Sequence, residues 1–150
     1  MAPLRKDAQQ VSNEKIVDWL KAAGLSATSQ RIAITRFVLC EADHPTADEV
    51  HRWTENYLPK VSLATVYNTL GTLVQAGLLK EVRLAGSDRV IYDCKTHDHF
   101  HFLDEASGQI YDLDSRDVEL NFKDKKMFNI SSFDLLIRGR VNKNRVTKKQ

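Results

Sequence analysis

The chain has little cysteine: Cys40 and Cys94 are the only two among its 150 residues. They stand far apart and form no Cys-x-x-Cys pair, so the sequence supports neither a disulfide framework nor a zinc site built from thiolates. We expect each of them to be a small buried residue.

Long apolar runs are also missing. No stretch approaches the roughly 20 residues that a membrane-spanning helix needs, and the first residues lack the apolar centre of a signal peptide. We therefore expect a soluble, cytoplasmic protein with no membrane partner.

Excess charge of either sign is small, since the formal net charge is only +2. Six basic residues are nevertheless concentrated from Arg138 to the end, without an acidic residue among them. We expect a disordered solubilising tail that could add attraction to phosphate. Its cations are Arg138, Arg140, Lys143, Arg145, Lys148 and Lys149.

What the chain does contain is a group of histidines. Three of its five lie at positions 97, 99 and 101, and Asp93 and Asp112 flank them. Residues two apart in a strand share a face, so His99 and His101 would present two imidazoles roughly 6–7 Å apart at Cα. Imidazole and carboxylate without thiolate suit zinc, iron(II) or manganese(II).

This segment predicts half of a metal site, and a polar strand or an exposed histidine cluster is the alternative. The remaining ligands should come from elsewhere in the chain, first from His44 and Asp112. His51 falls inside an apparent helix, and we expect it at the surface.

The first half of the chain predicts four helices, with N-caps at Ser12, Thr28, Thr46 and Ser62. The first ends near Gly24, the second runs to about Glu41, and the fourth ends at Gly77. Two strands, 78–84 and 89–93, follow around a four-residue turn. Helices followed by a small hairpin indicate a winged helix-turn-helix, whose last helix enters the major groove.

The polar face of the fourth helix carries short hydrogen-bonding groups and one aromatic ring, which suit base edges and phosphates. The alternative is an ordinary solvent-facing surface. The predicted DNA-binding set is Ser62, Thr65, Tyr67, Asn68, Arg31 and Lys60.

The second half predicts a strand at the histidines, a strand over 110–113, a short helix from Asp117 to Lys126 and a last strand from Ser132 to Val141. The fold class is therefore α+β, with an N-terminal winged helix-turn-helix and a small α/β domain after it.

Four short segments carry a recognisable pattern: 28–31 (TSQR), 44–50 (HPTADEV), 62–70 (SLATVYNTL) and 98–101 (DHFH). Together they resemble the ferric uptake regulator (Fur) family of metal-dependent bacterial repressors. The resemblance implies a homodimer that binds double-stranded palindromic operator DNA and is not an enzyme. It places a DNA-binding domain at 1–93, a hinge at 94–98, and a dimerisation and metal-sensing domain with the basic tail at 99–150.

The same resemblance implies a regulatory cation, Fe(II) or Mn(II), with Zn(II) possible in vitro. Its ligands would be His44, Asp93, His99, His101 and Asp112. A cation held by both domains would favour one relative orientation of them and act as corepressor.

Aspartate at 93 and 112, where iron-responsive members often carry glutamate, is similar to the peroxide-responsive (PerR) branch. Peroxide would then be sensed by iron-catalysed oxidation of a ligand histidine, with His44 and His99 as targets. The alternative is an iron-responsive regulator, either Fur-type or haem-responsive. Haem-responsive members share segment 61–70 closely but show three consecutive histidines where this chain has His99-Phe100-His101.

The chain also departs from the family. Asp104 and Ser107 occupy the places of the first zinc-binding cysteine pair, and no cysteine follows Cys94, so no structural zinc held by four cysteines is expected. Two other classes remain open, a non-haem iron enzyme and a metal-independent DNA-binding protein. No nucleophile motif or phosphate loop accompanies the cluster.

Overall fold

A computed structural model describes residues 11–58, 60–124 and 126–142. The chain divides into two compact units, an N-terminal unit up to Thr96 and a C-terminal unit from His97. This boundary falls inside the range 94–98, whose role as a hinge stays a prediction. Within the described ranges, no helix is long and apolar enough to cross a membrane.

The N-terminal unit begins with helices that start where the sequence predicts. At each start a serine or threonine hydroxyl accepts a hydrogen bond from the backbone N–H three residues later, which satisfies one of the free donors of the first turn. The four predicted N-caps, Ser12, Thr28, Thr46 and Ser62, are confirmed. The helices are α1 (Asn13–Ala22), α2 (Ser29–Arg36), α3 (Ala47–Tyr57) and α4 (Leu63–Gln75).

The second helix differs from the sequence prediction at its end. Its α-helical part stops at Arg36, and Phe37–Glu41 forms a π-helical turn. Such wide turns are rare and recur at functional sites. This one buries Val38 and Leu39 and leads directly to the Asp43-His44 loop.

A two-stranded hairpin completes the N-terminal unit. Strands β1 (Lys80–Arg83) and β2 (Val90–Asp93) pair antiparallel, with Lys80 opposite Asp93. Both are shorter than predicted. Just before β1, Leu78 and Leu79 pack on the helical core instead of extending the ladder. Helices followed by this hairpin confirm the winged helix-turn-helix.

The C-terminal unit is a three-stranded sheet. Its strands are β3 (His99–Asp104), β4 (Ile110–Asp114) and β5 (Leu136–Gly139), in the order β4-β3-β5. β3 pairs antiparallel with β4 and parallel with β5. A sheet unit after a helical unit confirms the α+β class.

The predicted helix from Asp117 to Lys126 is wrong. The chain makes only a 3-10 turn at Ser115–Asp117, and no helix follows in the part that the structure describes. The apolar residues Val118, Leu120 and Phe122 are two apart, a spacing that gives a helix no apolar face.

The predicted last strand, Ser132 to Val141, is too long, since only Leu136–Gly139 joins the sheet. Of the predicted basic tail, Arg138 lies in β5 and Arg140 follows it. The remaining tail cations, at 143–149, lie outside the described residues.

Candidate metal centre and DNA-binding face

The N-terminal unit contributes one imidazole and one carboxylate. His44 lies in the loop before α3, and Asp93 ends β2. The backbone N–H of Tyr92 donates to the carbonyl of Pro45 at 2.9 Å, which ties this loop to the strand. As a result, His44 Nε2 lies 3.7 Å from Asp93 Oδ2.

The Asp93 carboxylate is suited to hold a cation. It is 2% exposed, and Oδ1 accepts a hydrogen bond from the Lys95 N–H at 2.8 Å. The second oxygen, Oδ2, is the one that faces His44. A buried carboxylate must be paired or bind a metal, because desolvation is otherwise very costly.

The C-terminal unit contributes two imidazoles and one carboxylate. His99 and His101 project from the same face of β3, which confirms the alternation predicted from the sequence, and their Nε2 atoms are 3.1 Å apart. Asp112 lies opposite His101 on β4. Its Oδ1 is 3.4 Å from His99 Nε2 and 3.8 Å from His101 Nε2.

These separations fit a transition metal. Ligand atoms at about 2.1 Å from a cation are roughly 3.0–3.4 Å apart for octahedral or tetrahedral angles. The His99–His101 and His99–Asp112 separations fall in that interval, and the donor set is the one that Fe(II), Mn(II) and Zn(II) accept. The β3–β4 face therefore has the donor atoms of a candidate metal site at suitable separations, and His44 and Asp93 are candidate ligands in the N-terminal unit.

The orientation of His99 is also that of a metal ligand. Its Nδ1 lies 2.8 Å from the carbonyl of His97, at hydrogen-bonding distance. An N–H at Nδ1 that donates to this carbonyl leaves the Nε2 lone pair available, as in most metal-bound histidines.

His51 has a different role. Its Nε2 lies 3.0 Å from the carbonyl of Val61, just before α4. The side chain is 23% exposed, so the expected surface position is confirmed only in part. It joins α3 to the start of α4.

Asp43, a neighbour of the candidate ligand His44, was not predicted from the sequence to take part in the site. The Asp43 Oδ1 atom lies 2.7 Å from His44 Nδ1. The only signal was that a carboxylate directly precedes a candidate ligand histidine.

Asp104 and Ser107, at the places of the family's first cysteine pair, form a hydrogen-bonded turn. The Ser107 hydroxyl donates to Asp104 Oδ2 at 2.6 Å, and the backbone N–H of Val141 donates to Asp104 Oδ1 at 3.3 Å. Asp104 is buried. These donors hold the pKa of the Asp104 carboxyl below its ordinary value, with Ser107 as the largest cause.

The polar face of α4 is the candidate DNA-binding face. Tyr67 is 51% exposed and Asn68 is exposed, whereas Val66 and Leu70 on the other side are buried. Tyr67 also borders an open groove of about 490 Å³ between the start of α3 and the hairpin.

The other predicted DNA-binding residues have varied surroundings. Ser62 and Thr65 bond to each other at the start of α4, with their hydroxyls 2.9 Å apart. The Arg31 guanidinium donates to the Ser26 carbonyl at 3.2 Å and also contacts its hydroxyl. Lys60 is exposed in the loop before α4.

The profile of the ferric uptake regulator family matches residues 22–137. The chain belongs to this family. Its members are metal-responsive transcription regulators that bind DNA, so the family assignment favours a regulator over an enzyme.

Individual relatives agree. The chain is 33% identical over 122 residues to the peroxide-responsive repressor PerR of Staphylococcus aureus, covering 81% of this chain and 80% of that protein. A solved peroxide stress regulator from Campylobacter jejuni matches with a TM-score of 0.60 and 27% identity, over 83% of this chain and 95% of that one. The Vibrio cholerae ferric uptake regulator shares the fold, with a TM-score of 0.62 and 22% identity over 83% and 98% of the two chains.

Proposed function

We propose that this protein is a transcriptional repressor whose DNA binding is controlled by one divalent cation and reversed by peroxide. The ligands are His44 and Asp93 from the N-terminal unit with His99, His101 and Asp112 from the C-terminal unit. The observation that carries the proposal is the convergence of two imidazoles and one carboxylate on the β3–β4 face, with Nε2 atoms 3.1 Å apart.

The ligand count supports a shared cation. The C-terminal set of two histidines and one carboxylate leaves coordination positions open. The pair of His44 and Asp93 in the N-terminal unit has the donor types that would fill them. Three nitrogens and two oxygens suit Fe(II) or Mn(II), and Zn(II) fits the same donors in vitro.

Control of DNA binding follows from ligands that belong to two units. A cation that binds best when all five ligands are together shifts the protein towards that arrangement. In a dimer the arrangement would set two α4 helices to read the half-sites of a palindromic operator. Metal is then the corepressor.

A second copy of the chain is the proposed partner of the C-terminal unit. Seven large apolar side chains between Leu120 and Ile137 are exposed, more than a monomer usually leaves in contact with water in so short a segment, which favours an interaction site. They are Leu120, Phe122, Met127, Phe128, Ile130, Phe133 and Ile137.

Peroxide sensing uses two of the ligand histidines. Iron(II) held by these five residues would supply the redox chemistry that activates peroxide. The imidazoles of His44 and His99, as ligands, would lie beside the activated peroxide. For each imidazole oxidised, one oxygen atom of a peroxide molecule would be inserted into a ring C–H bond and the other would leave as water. An oxidised imidazole is a poorer ligand, so the cation and then the DNA are released. The similarity to the Staphylococcus aureus peroxide-responsive repressor supports this choice of signal.

The test begins by selecting a duplex from a random DNA pool with the Mn(II)-loaded protein. Binding to that duplex is then measured without metal, with Mn(II) and with Fe(II), before and after peroxide. We expect binding with both metals, loss after peroxide only with Fe(II), and one added oxygen in the peptides that contain His44 and His99.

The matched controls are His99→Ala and His51→Ala, because both remove an imidazole but only His99 belongs to the proposed site. We expect His99→Ala to abolish the difference in DNA binding with and without metal, and His51→Ala to keep that difference whatever its effect on overall affinity through the start of α4. Binding that survives peroxide without histidine oxidation would assign the protein to iron-responsive regulators, either Fur-type or haem-responsive. Equal DNA binding with and without metal would overturn the proposal.

A further inference from the structure

The two ring nitrogens of His44 face two different carboxylates. Nδ1 lies 2.7 Å from Asp43 Oδ1, and Nε2 lies 3.7 Å from Asp93 Oδ2. The His44 side chain is 5% exposed, whereas that of Asp43 is 45% exposed. Asp93 is on the proposed ligand side of the ring, and Asp43 is on the opposite side.

The local backbone makes the Asp43 contact possible. Successive side chains in extended chain point to opposite faces and do not meet. His44 instead adopts φ +46°, in the left-handed region that side chains other than glycine rarely occupy. The preceding π-helical turn and the Tyr92–Pro45 backbone hydrogen bond hold the loop on both sides.

The contact has a chemical consequence for metal binding. A neutral imidazole carries one N–H and one lone pair, on different nitrogens. The carboxylate of Asp43, at 2.7 Å from Nδ1, attracts the proton more strongly than that of Asp93, at 3.7 Å from Nε2, so the Nε2 lone pair would face the cation. The Asp43 carboxylate also makes the ring a stronger donor, as carboxylate partners of metal-bound histidines generally do.

We propose that Asp43 is a positioning residue of the metal centre, which holds His44 in the tautomer that binds a divalent cation through Nε2. This inference rests on the proposed metal site. It concerns a residue that contacts a ligand and does not itself bind the metal. A feature of this chain's own sequence, an aspartate next to His44, would then tune metal affinity.

The first experiment measures Mn(II) affinity of the full-length protein by competition with a fluorescent chelator. Asp43→Asn keeps the shape of the side chain and removes its charge. Glu41→Gln is the matched control. Glu41 is exposed and stands two residues before Asp43, so this substitution removes the same negative charge at a neighbouring position. We expect Asp43→Asn to weaken binding about 10- to 100-fold and Glu41→Gln to change it less than about twofold.

The second experiment observes the tautomer in the metal-free protein. Two-bond ¹⁵N–¹H correlation spectra at about pH 8 distinguish an Nδ1–H from an Nε2–H imidazole, and His44→Ala identifies the signal. We expect an Nδ1–H tautomer in the wild type and a shift towards Nε2–H in Asp43→Asn. This readout separates positioning from direct ligation by Asp43, since no metal is present.

Support requires both results. Equal Mn(II) affinity for Asp43→Asn and Glu41→Gln, or an unchanged His44 tautomer in Asp43→Asn, would overturn the inference. The His99→Ala and His44→Ala proteins test the metal site separately. If both bind Mn(II) as the wild type does, the proposed function itself fails. If they lose affinity and Asp43→Asn does not, only the inference about Asp43 fails.

Discussion

The two units of this protein differ in how they bury apolar surface. All but two of the buried hydrophobic side chains in the described residues belong to the N-terminal unit, and Phe100 and Ile110 are the exceptions. In the C-terminal unit, large apolar residues such as Met127 and Phe128 are more than half exposed.

The difference shows what each unit needs from outside. The N-terminal helices pack their apolar faces on one another, so this unit has a core of its own. The C-terminal sheet has polar contacts at Asp104, carries the candidate ligands of the proposed metal site and leaves large apolar side chains exposed. Burial of apolar surface therefore stabilises mainly the first unit, and the proposed control by metal and by a second copy acts on the second.

The same leucine-to-alanine substitution in each unit tests this difference in burial most directly. Leu70 on α4 is 0% exposed, and Leu120 is 52% exposed. Leu70→Ala should destabilise the N-terminal unit by about 2–5 kcal/mol, because it leaves a cavity in a packed core. Leu120→Ala should change the same transition by less than about 0.5 kcal/mol.

Urea unfolding followed by tryptophan fluorescence measures this difference, because Trp19 and Trp53, the two tryptophans of the chain, are both in the N-terminal unit. The protein concentration is held constant, since dimerisation shifts apparent stability. Equal losses in the two variants would contradict a self-contained N-terminal core.

Exposed aromatic residues should act differently in the two units. Tyr67→Ala should weaken binding to the selected duplex by about 1–3 kcal/mol if Tyr67 reaches the bases, measured by fluorescence anisotropy. Tyr57→Ala is the control, because Tyr57 is 67% exposed on α3. Equal affinities of the two variants for the duplex would remove Tyr67 from the DNA-binding face.

Phe128→Ala tests the corresponding residue type in the C-terminal unit. Phe128 is 57% exposed and lies 6.0 Å from Phe122 between ring centroids. If a second copy covers it, its removal should weaken the dimer by more than about 1 kcal/mol, roughly fivefold in Kd. Sedimentation equilibrium measures this, and Tyr67→Ala should dimerise normally. A Kd equal to that of the wild type would place the interface elsewhere.

The smallest expected effect concerns the polar contacts of the C-terminal unit. The folded pKa of Asp104 is depressed, so its stabilising contribution is complete above the unfolded value of about 3.9 and is lost as the pH falls through the folded pKa. Hydrogen exchange of the Val141 N–H should therefore accelerate, beyond the intrinsic pH effect, when wild-type protein is acidified below about pH 4.

Asp104→Asn should show faster exchange already at neutral pH and little further dependence on acidification. Asp114→Asn is a matched control, because the Arg116 guanidinium, its main partner, lowers the pKa of Asp114 without involving Val141. Identical profiles for wild type and Asp104→Asn would mean that the Asp104 carboxylate does not hold the segment after β5.

Much of the N-terminal fold could be predicted from local sequence. A capping hydroxyl and its N–H partner are three residues apart, so Ser12 and Ser62 mark helix starts through interactions that need no distant contact. The end of the second helix could not be predicted. The switch to a π-helical turn at Phe37, which buries Val38, Leu39 and Cys40, is rare and has no signal in the local sequence.

The candidate site shows the same division. Alternation along a strand was enough to put His99 and His101 on one face. The distances to Asp112 follow from the register of β3 and β4. The contact between Asp43 and His44 occurs with His44 in the left-handed backbone region, and the local sequence Asp-His-Pro does not predict that conformation.

Local sequence is enough to locate the helix starts and the winged-helix pattern, because short-range capping and periodic apolar residues encode them, and four short motifs are enough to recognise the family. The parallel pairing of β5 with β3, the hydrogen bond from the Val141 N–H to Asp104 and the absence of a helix in the described residues after Asp117 follow only from the tertiary structure. Such contacts depend on closing long loops and on which surfaces are buried, so their free energy cannot be predicted from any short segment of the chain.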